Sequence, residues 1–149
     1  MRKILFHLDV EDGFPPVGSE TLNAEPLGKR QYRLDNTPFF VEGISLGDVV
    51  EAHEAETGRL VFERVLESAS CHSLSVLLFD VTLRARLASF LEQLGCYVEY
   101  GEFPGLNALA VSVPQSADYE AIKMELIKHE SANRVSFAEL ALADSSSEN

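Results

Sequence analysis

The sequence predicts an α+β fold in which a small, all-β, barrel-like half is followed by a ferredoxin-like (split βαβ) half. Residues 1–70 carry short apolar strand patterns separated by glycine and proline turn signals, which is typical of a small barrel. Residues 71–142 carry the order strand, helix, strand, strand, helix, strand, which is the split βαβ arrangement. Residues 143–149 are rich in serine and acidic residues, and we expect them to form a disordered tail.

The first half is predicted to contain five strands, because apolar patterns typical of strands recur between turn signals. Gly28 lies between two such segments and Gly58 lies between two others, so each pair is expected to form a hairpin. The five predicted strands are Lys3–Leu8, Leu22–Pro26, Gln31–Leu34, Val49–His53 and Leu60–Leu66.

The second half has two amphipathic helix patterns, in which apolar residues recur three or four positions apart. Asp80 or Thr82 is suited to cap the first helix, and Ser116 or Asp118 the second. The positions expected to be buried are Leu83, Leu87, Phe90, Leu91 and Leu94 in the first helix and Tyr119, Ile122, Leu126 and Ile127 in the second. The predicted strands are Ser73–Phe79, Cys96–Phe103, Ala108–Val113 and Val135–Leu142.

The composition is that of an ordinary globular chain, with 149 residues, 46% of them apolar and 24% charged. No apolar run approaches the ~20 residues that a membrane-spanning helix needs. Arg2 and Lys3 precede an apolar run, as in a signal peptide, but His7 and Asp9 interrupt it almost at once. We therefore expect a cytoplasmic protein that does not contact a membrane.

The net charge of −12 is spread evenly along the chain. Residues 1–70 hold 13 acidic and 7 basic side chains, and residues 71–149 hold 11 and 5. Binding of nucleic acid requires lysine and arginine to neutralise phosphates, so this class of partner is disfavoured. An acidic chain suits a basic partner protein, because opposite charges steer association.

The segment Arg33–Ala52 has an unusual composition, with adjacent phenylalanines at 39 and 40 followed by two glycines and Asp48. Gly43 and Gly47 allow backbone conformations that other residues avoid, and Asp48 is placed to cap its own turn. We expect a barrel corner filled by one phenylalanine. Because neighbouring residues of an extended chain point to opposite faces, the other ring could face a partner or ligand.

The motifs DGFPP, AEPLG, LDNTPFF and GISLGDVV follow one another between Asp12 and Ala52. Together they resemble the signature of an uncharacterised bacterial family, a domain of unknown function. The likeness continues through Gly58–Val65 and through the later segments LGCYVE, LNALAVSVP and DYEAI. Such a resemblance implies no catalytic residues. Where members of that family often show Ser-Gly-His, this chain has Ala69-Ser70-Cys71-His72.

Catalytic and metal sites are weakly indicated. Cys71, His72 and Asp48 could form a Cys/His/Asp set, but adjacent residues of a strand face opposite ways, so His72 is poorly placed to activate Cys71. Neither Cys71 nor Cys96 has the spacing of a disulfide framework or a zinc site. The acids around His53 are more typical of a solvated strand edge than of metal ligands. No cofactor is expected.

The predicted function is that of a non-enzymatic acidic binding protein, in its most concrete form an immunity-type protein that neutralises a basic bacterial toxin. One alternative is a small-molecule-binding regulatory module with a pocket formed by Phe39, Phe40, Tyr97 and His72 between the halves. A second alternative is an enzyme that uses His72 with acidic residues. The residues expected to bind the partner are Phe39, Phe40, Asp48, Glu51, Glu54, Glu56, His72, Glu99 and Glu102.

Overall fold

The computed structural model describes residues 1–143 and contains a closed five-stranded barrel followed by a four-stranded sheet with two helices. The α+β class with a barrel is therefore confirmed. The division of the chain at residue 70 stays a prediction. Residues 144–149, which make up most of the predicted disordered tail, lie outside the described residues.

The barrel is built from two hairpins and a first strand that closes it. Strand β1 (Arg2–His7) pairs antiparallel with β2 (Ser19–Gly28) and parallel with β5 (Leu60–Glu67), so the sheet has no free edge. Inward positions alternate along the strands, for example Leu22 and Ala24, and bury a small apolar core. The barrel strands are β1 (Arg2–His7), β2 (Ser19–Gly28), β3 (Gln31–Leu34), β4 (Val49–Glu54) and β5 (Leu60–Glu67).

The second half has the predicted element order, and its antiparallel strands lie in the order β7-β8-β6-β9. Asp80 caps a short 3₁₀ turn that leads into α1, and Asp118 caps α2. The elements are β6 (His72–Leu78), α1 (Arg84–Gln93), β7 (Tyr97–Phe103), β8 (Leu106–Val113), α2 (Tyr119–Ser131) and β9 (Val135–Ala141).

Both helices contribute to one core on a single face of this sheet. Leu87 and Leu91 of α1 and Ile122 and Leu126 of α2 are fully buried there, as predicted. The expectation for Ile127 was wrong, because this side chain is 45% exposed. At 3.6 residues per turn, Ile127 lies about 140° around the helix from Ile122. His129, three residues after Leu126, completes the buried face instead.

The opposite face of the sheet carries mostly small side chains and is directed toward the barrel. Its buried members are Ser73, Ser75, Ala108, Ala110 and Ser112, which alternate with the large residues of the helix-covered face. Because these side chains are short, the barrel and the sheet do not fill the space between them. The candidate site lies in that space.

The expectation that Glu51, Glu54 and Glu56 lie at a strand edge was wrong. Strand β4, which contains Glu51 and Glu54, is hydrogen-bonded on one side to β3 and on the other to β5. Closure of the barrel therefore removes the edge that these acids were expected to protect.

Candidate functional site

A cavity of about 810 Å³ lies between the barrel and the small-residue face of the sheet. The barrel side is contributed by the end of β1, by β5 and by the loop that carries Phe14 and Pro15. The sheet side is contributed by β6 and β9, and the segment Phe39–Glu42 forms a third wall. We call this space the inter-half cavity.

Phenylalanine rings form a large part of the apolar lining of the inter-half cavity. Phe6 and Phe62 are stacked with ring centroids 4.7 Å apart. Phe14 meets Phe40 edge-on with centroids 5.8 Å apart, and Phe40 in turn meets Phe103 at 4.9 Å. These rings support one another in edge and stacked geometries, so the wall is held in place by its own packing.

Glu20 holds the backbone of the third wall from behind. Its carboxylate accepts hydrogen bonds from the amides of Phe39 at 2.5 Å and of Phe40 and Val41, both at 3.1 Å. Burial raises the pKa of the Glu20 carboxyl, and the three hydrogen bonds partly offset that increase. On the other flank of the wall, the Gly43 amide donates to the Leu140 carbonyl of β9 at 2.9 Å.

Phe40 is the more buried of the two adjacent phenylalanines, with 8% of its surface exposed, and Phe39 is partly exposed. This matches the predicted difference in burial, but Phe39 does not project outward as a free anchor. Its ring packs against Phe103 at 5.2 Å and covers Gly101. A Cβ at position 101 would lie 2.8 Å from Cζ of Phe39, so a side chain there would displace the ring.

Asp48 has a structural role at the corner that follows this wall. It is 3% exposed, and it accepts hydrogen bonds from the Ser45 amide at 2.9 Å and the Ala69 amide at 2.8 Å. The predicted cap of its own turn is therefore present, with Gly47 at φ +88°. Burial raises the pKa of Asp48. A carboxylate with both oxygens occupied in this way is not available to a partner.

The sheet side of the inter-half cavity includes a buried hydroxyl without a hydrogen-bond partner. Ser75 is 4% exposed, and no described residue bonds to its Oγ. An unpaired buried hydroxyl costs about 1–3 kcal/mol, so such atoms are rare unless something else satisfies them. Ser73 and Ser112 on the same face also have unpaired hydroxyls among the described residues, but of the three only Ser75 lines the cavity. Ser75 is therefore the one with which a ligand in the cavity could form a hydrogen bond.

Three exposed carboxylates line the inter-half cavity, namely Asp9, Glu11 and Glu42. His7 lines it as well, and no lysine or arginine is among the described residues of the lining. We call Asp9, Glu11 and Glu42 the acidic rim. Sequence analysis missed this rim, because Glu42 is about thirty positions from the other two and only the fold brings them to one cavity.

The acids predicted to bind a partner do not gather at one place. Glu51 pairs with Arg64 at 2.6 Å, whereas Glu54 and Glu56 are exposed on the barrel. Glu99 accepts hydrogen bonds from Asn36 Nδ2 at 3.1 Å and from the Thr37 amide at 2.8 Å, so it joins the halves. Glu102 is exposed.

The predicted pocket was only half right in its residues. Phe39 and Phe40 line the inter-half cavity, but Tyr97 and His72 do not. Tyr97 is 62% exposed on the edge strand β7. His72 stacks on Tyr119 with centroids 4.2 Å apart, and its Nδ1 accepts a hydrogen bond from the Ala143 amide at 2.9 Å. His72 therefore packs at the start of α2, on the helix-covered side of the sheet.

The geometry around Cys71 does not produce an activated nucleophile. Burial raises the pKa of the Cys71 thiol and lowers the pKa of His72, so a thiolate and imidazolium pair is disfavoured. Cys96 is also buried, which raises its pKa to about 11. Among residues 1–143, no three His, Cys, Asp or Glu side chains are grouped as metal ligands would be.

Within the described part of the chain, no helix has the length and apolar character needed to cross a membrane.

Comparison with known proteins shows the fold and the family. A solved structure described as a hypothetical protein from Neisseria gonorrhoeae superposes with a TM-score of 0.78 and 19% sequence identity, over 97% of this chain and 96% of that chain. At this identity the likeness concerns the fold alone. No curated protein matches the sequence significantly. The model of one family, described as a domain of unknown function (DUF4265), matches residues 20–137. The chain therefore belongs to the DUF4265 family.

Proposed function

We propose that this protein is a non-enzymatic ligand-binding module in which the inter-half cavity takes up a small, partly apolar molecule. The observation that carries the proposal is a cavity of about 810 Å³ with aromatic walls and the unpaired Ser75 hydroxyl at its floor. Ligand pockets in proteins are typically about 300–1,000 Å³, mostly apolar, with a few polar groups that orient the ligand.

Several contacts support a cavity that exists before the ligand arrives. The third wall is held by the Glu20 carboxylate on one side and by Leu140 on the other. Its rings pack against Phe14 and Phe103. A preformed pocket binds more tightly than one that must be ordered first, because less conformational entropy is lost on binding.

Binding of a neutral apolar dye tests the proposal. N-phenylnaphthylamine, whose fluorescence rises in an apolar environment, should bind the native protein in a saturable manner. The Ser75→Leu substitution would fill the floor of the cavity and should weaken dye binding by about tenfold or more. Ser116→Leu adds the same side chain at an exposed loop position outside the cavity and serves as the control.

Two results of the dye experiment would contradict the proposal. Non-saturable fluorescence of the native protein, or equal loss of binding in the two variants, would refute the proposed use of the cavity. Circular dichroism and urea unfolding of both variants establish that each is folded. If Ser75→Leu does not fold, Ala138→Leu on the neighbouring strand β9 fills the same cavity from an exposed position.

A second candidate function is the binding of a basic protein, in the form of an immunity-type inhibitor of a toxin. The observations that favour it are the net charge of −12 and the exposure of Glu54, Glu56 and Glu102. With a partner in hand, its association rate should fall as salt rises, because charges are screened with a Debye length of about 8 Å at physiological ionic strength. Reversing Glu54 and Glu56 to lysine should slow association several-fold. A rate independent of salt would contradict this candidate.

We also propose a ferredoxin-like second half, the four-motif family signature and a cytoplasmic location. The sheet order β7-β8-β6-β9 and the position of both helices on one face support a ferredoxin-like classification of the second half. The family match starts at residue 20, after the DGFPP part of the proposed signature, and covers its other three motifs. The polar interruption of the first apolar run supports a cytoplasmic location.

A further inference from the structure

We propose that the ligand of the inter-half cavity is an amphipathic cation, with an ammonium group at the acidic rim and an apolar body among the phenylalanine rings. This inference rests on the proposed ligand-binding function and adds the chemical class of the ligand. It depends on three features of the cavity: the charge of its rim, the aromatic residues beside that rim, and the buried, unpaired hydroxyl of Ser75 at its floor.

The charges of the lining discriminate between ligand classes. Asp9, Glu11 and Glu42 are acidic, and the described lining holds no lysine or arginine that could pair with an anionic head group. A carboxylate or phosphate ligand would therefore meet like charge, whereas an ammonium group would be attracted. The net charge of −12 acts in the same direction over longer distances.

The aromatic residues nearest solvent suit the same head group. Phe14 is 50% exposed and meets the ring of Phe40, so aromatic surface extends from the interior of the cavity to its mouth. Ring faces attract ammonium groups through their negative quadrupole, and they also cover the apolar part of a ligand. A cation on an apolar body can use both kinds of contact at once.

The floor of the cavity specifies a further feature of the ligand. The rim acids are exposed, whereas Ser75 is almost completely buried and its Oγ has no protein partner among the described residues. A hydroxyl can donate one hydrogen bond and accept up to two, so a ligand with a polar atom at the end opposite its ammonium group would satisfy it. The ligand class is therefore an amine with an apolar middle and one polar atom at its far end.

Three probes that share one apolar body and differ in head-group charge test the inference. These are naphthylmethylamine, naphthylmethanol and naphthylacetate, measured by fluorescence titration at low salt. We expect the amine to bind at least about tenfold more tightly than the acetate, with the alcohol between them. Substituting Asp9→Asn, Glu11→Gln and Glu42→Gln together should reduce that preference to about twofold or less.

A matched control separates the rim from the overall charge. The triple variant Glu54→Gln, Glu56→Gln and Glu102→Gln removes the same number of charges from exposed positions outside the cavity. It should keep most of the preference for the amine.

The possible outcomes are distinguishable. Equal binding of amine and acetate to the native protein would overturn the inference, while saturable binding of the alcohol would leave the proposed function in place. A preference that falls equally in the two triple variants would also overturn the inference, since the rim would then have no special role. If no probe binds and the neutral dye also fails, both the inference and the proposed function are refuted.

Discussion

The two faces of the four-stranded sheet differ in the size of their side chains and, in consequence, in what covers them. The helix-covered face presents Leu74, Val76, Leu109 and Val111, which pack with the helices into a closed core. The barrel-facing side presents mainly serine and alanine at the alternating positions of the same strands, with Leu77 as the large exception. One face is therefore filled by protein, and the other borders a cavity of about 810 Å³.

This difference separates a face that is packed for stability from a face that borders the candidate site. Large branched side chains on the helix-covered face fill the space up to α1 and α2, which contributes most of the burial in this half. Short side chains on the other face border the inter-half cavity, which lies between β6, β9 and the barrel. The barrel half meets the sheet at β7, where Phe39 and Phe40 pack against Phe103. In the same region Glu99 accepts hydrogen bonds from the amide of Thr37 and the side chain of Asn36.

The largest expected effect is a difference in stability between variants on the two faces of the sheet. Leu87→Ala leaves a cavity in the helix-covered core and should lower the free energy of unfolding by about 2–5 kcal/mol. Leu77 is a half-buried residue that lines the inter-half cavity, so Leu77→Ala should cost about 1 kcal/mol. Urea unfolding of both variants measures the difference. Equal losses would mean that both faces are packed alike.

The next effect concerns Glu20 and the third wall of the inter-half cavity, the segment Phe39–Glu42. Glu20→Ala leaves the amides of Phe39, Phe40 and Val41 without their acceptor, but it also removes a buried charge. We expect a net loss of about 1–2 kcal/mol in urea unfolding, together with weaker dye binding. Glu25→Ala, at an exposed site on the same strand, is the control. Unchanged stability and dye binding would show that the third wall keeps its conformation without the hydrogen bonds to Glu20.

The raised pKa of Glu20 adds a pH signature to this comparison. Its folded-state pKa lies above the ordinary value of 4.5, so the folded protein holds the proton more tightly than the unfolded chain does. This contribution to stability is fully present below the ordinary value and is lost as the pH rises through the folded-state pKa. The stability difference between native protein and Glu20→Ala should therefore grow as the pH is lowered from neutrality. A difference that shrinks on acidification would contradict the assignment.

A smaller effect is expected at the floor of the cavity. Ser75→Ala removes a buried hydroxyl that has no protein partner, so it should raise the stability of the ligand-free protein by up to about 1 kcal/mol. Ser116→Ala, at an exposed loop position, should leave the stability nearly unchanged. Thermal and urea unfolding of the two variants measure this. A clear destabilisation by Ser75→Ala would indicate that its hydroxyl is already satisfied.

The smallest effect lies at His72, away from the cavity. Burial lowers the pKa of His72 from its ordinary value of 6.5, and neutral Nδ1 accepts the Ala143 amide. The stability that neutral His72 contributes is present above pH 6.5 and is lost as the pH falls through the folded-state pKa. The stability advantage of the native protein over His72→Gln should therefore decrease as the pH falls from neutrality through 6.5 and toward the lowered folded-state pKa. Dye binding should not change in this variant, since His72 does not line the cavity.

Much of the local structure could be predicted, because it depends on residues close together in the chain. The turn capped by Asp48, the 3₁₀ turn capped by Asp80, the cap of α2 at Asp118 and both barrel hairpins follow from short-range hydrogen bonding and turn conformations. Helical spacing also predicted the burial of Leu87 and Leu126 correctly. The prediction failed at Ile127, because an apolar residue next to a buried one in a helix can lie outside the buried face. His129 completes the buried face of α2 instead.

The candidate site depended on contacts that no local pattern contains. Closure of the barrel pairs Ile4 with Leu60, and the wall of the cavity depends on Glu20 reaching the amides of Phe39–Val41. Sequence alone predicted an α+β chain with a barrel, an acidic surface and two adjacent phenylalanines of unequal burial, since periodicity and composition are properties of the chain itself. Only the tertiary structure decided that the small face of the sheet meets the barrel across a cavity with an acidic rim. The physical reason is that alternation in a strand separates two faces but does not say what covers each of them.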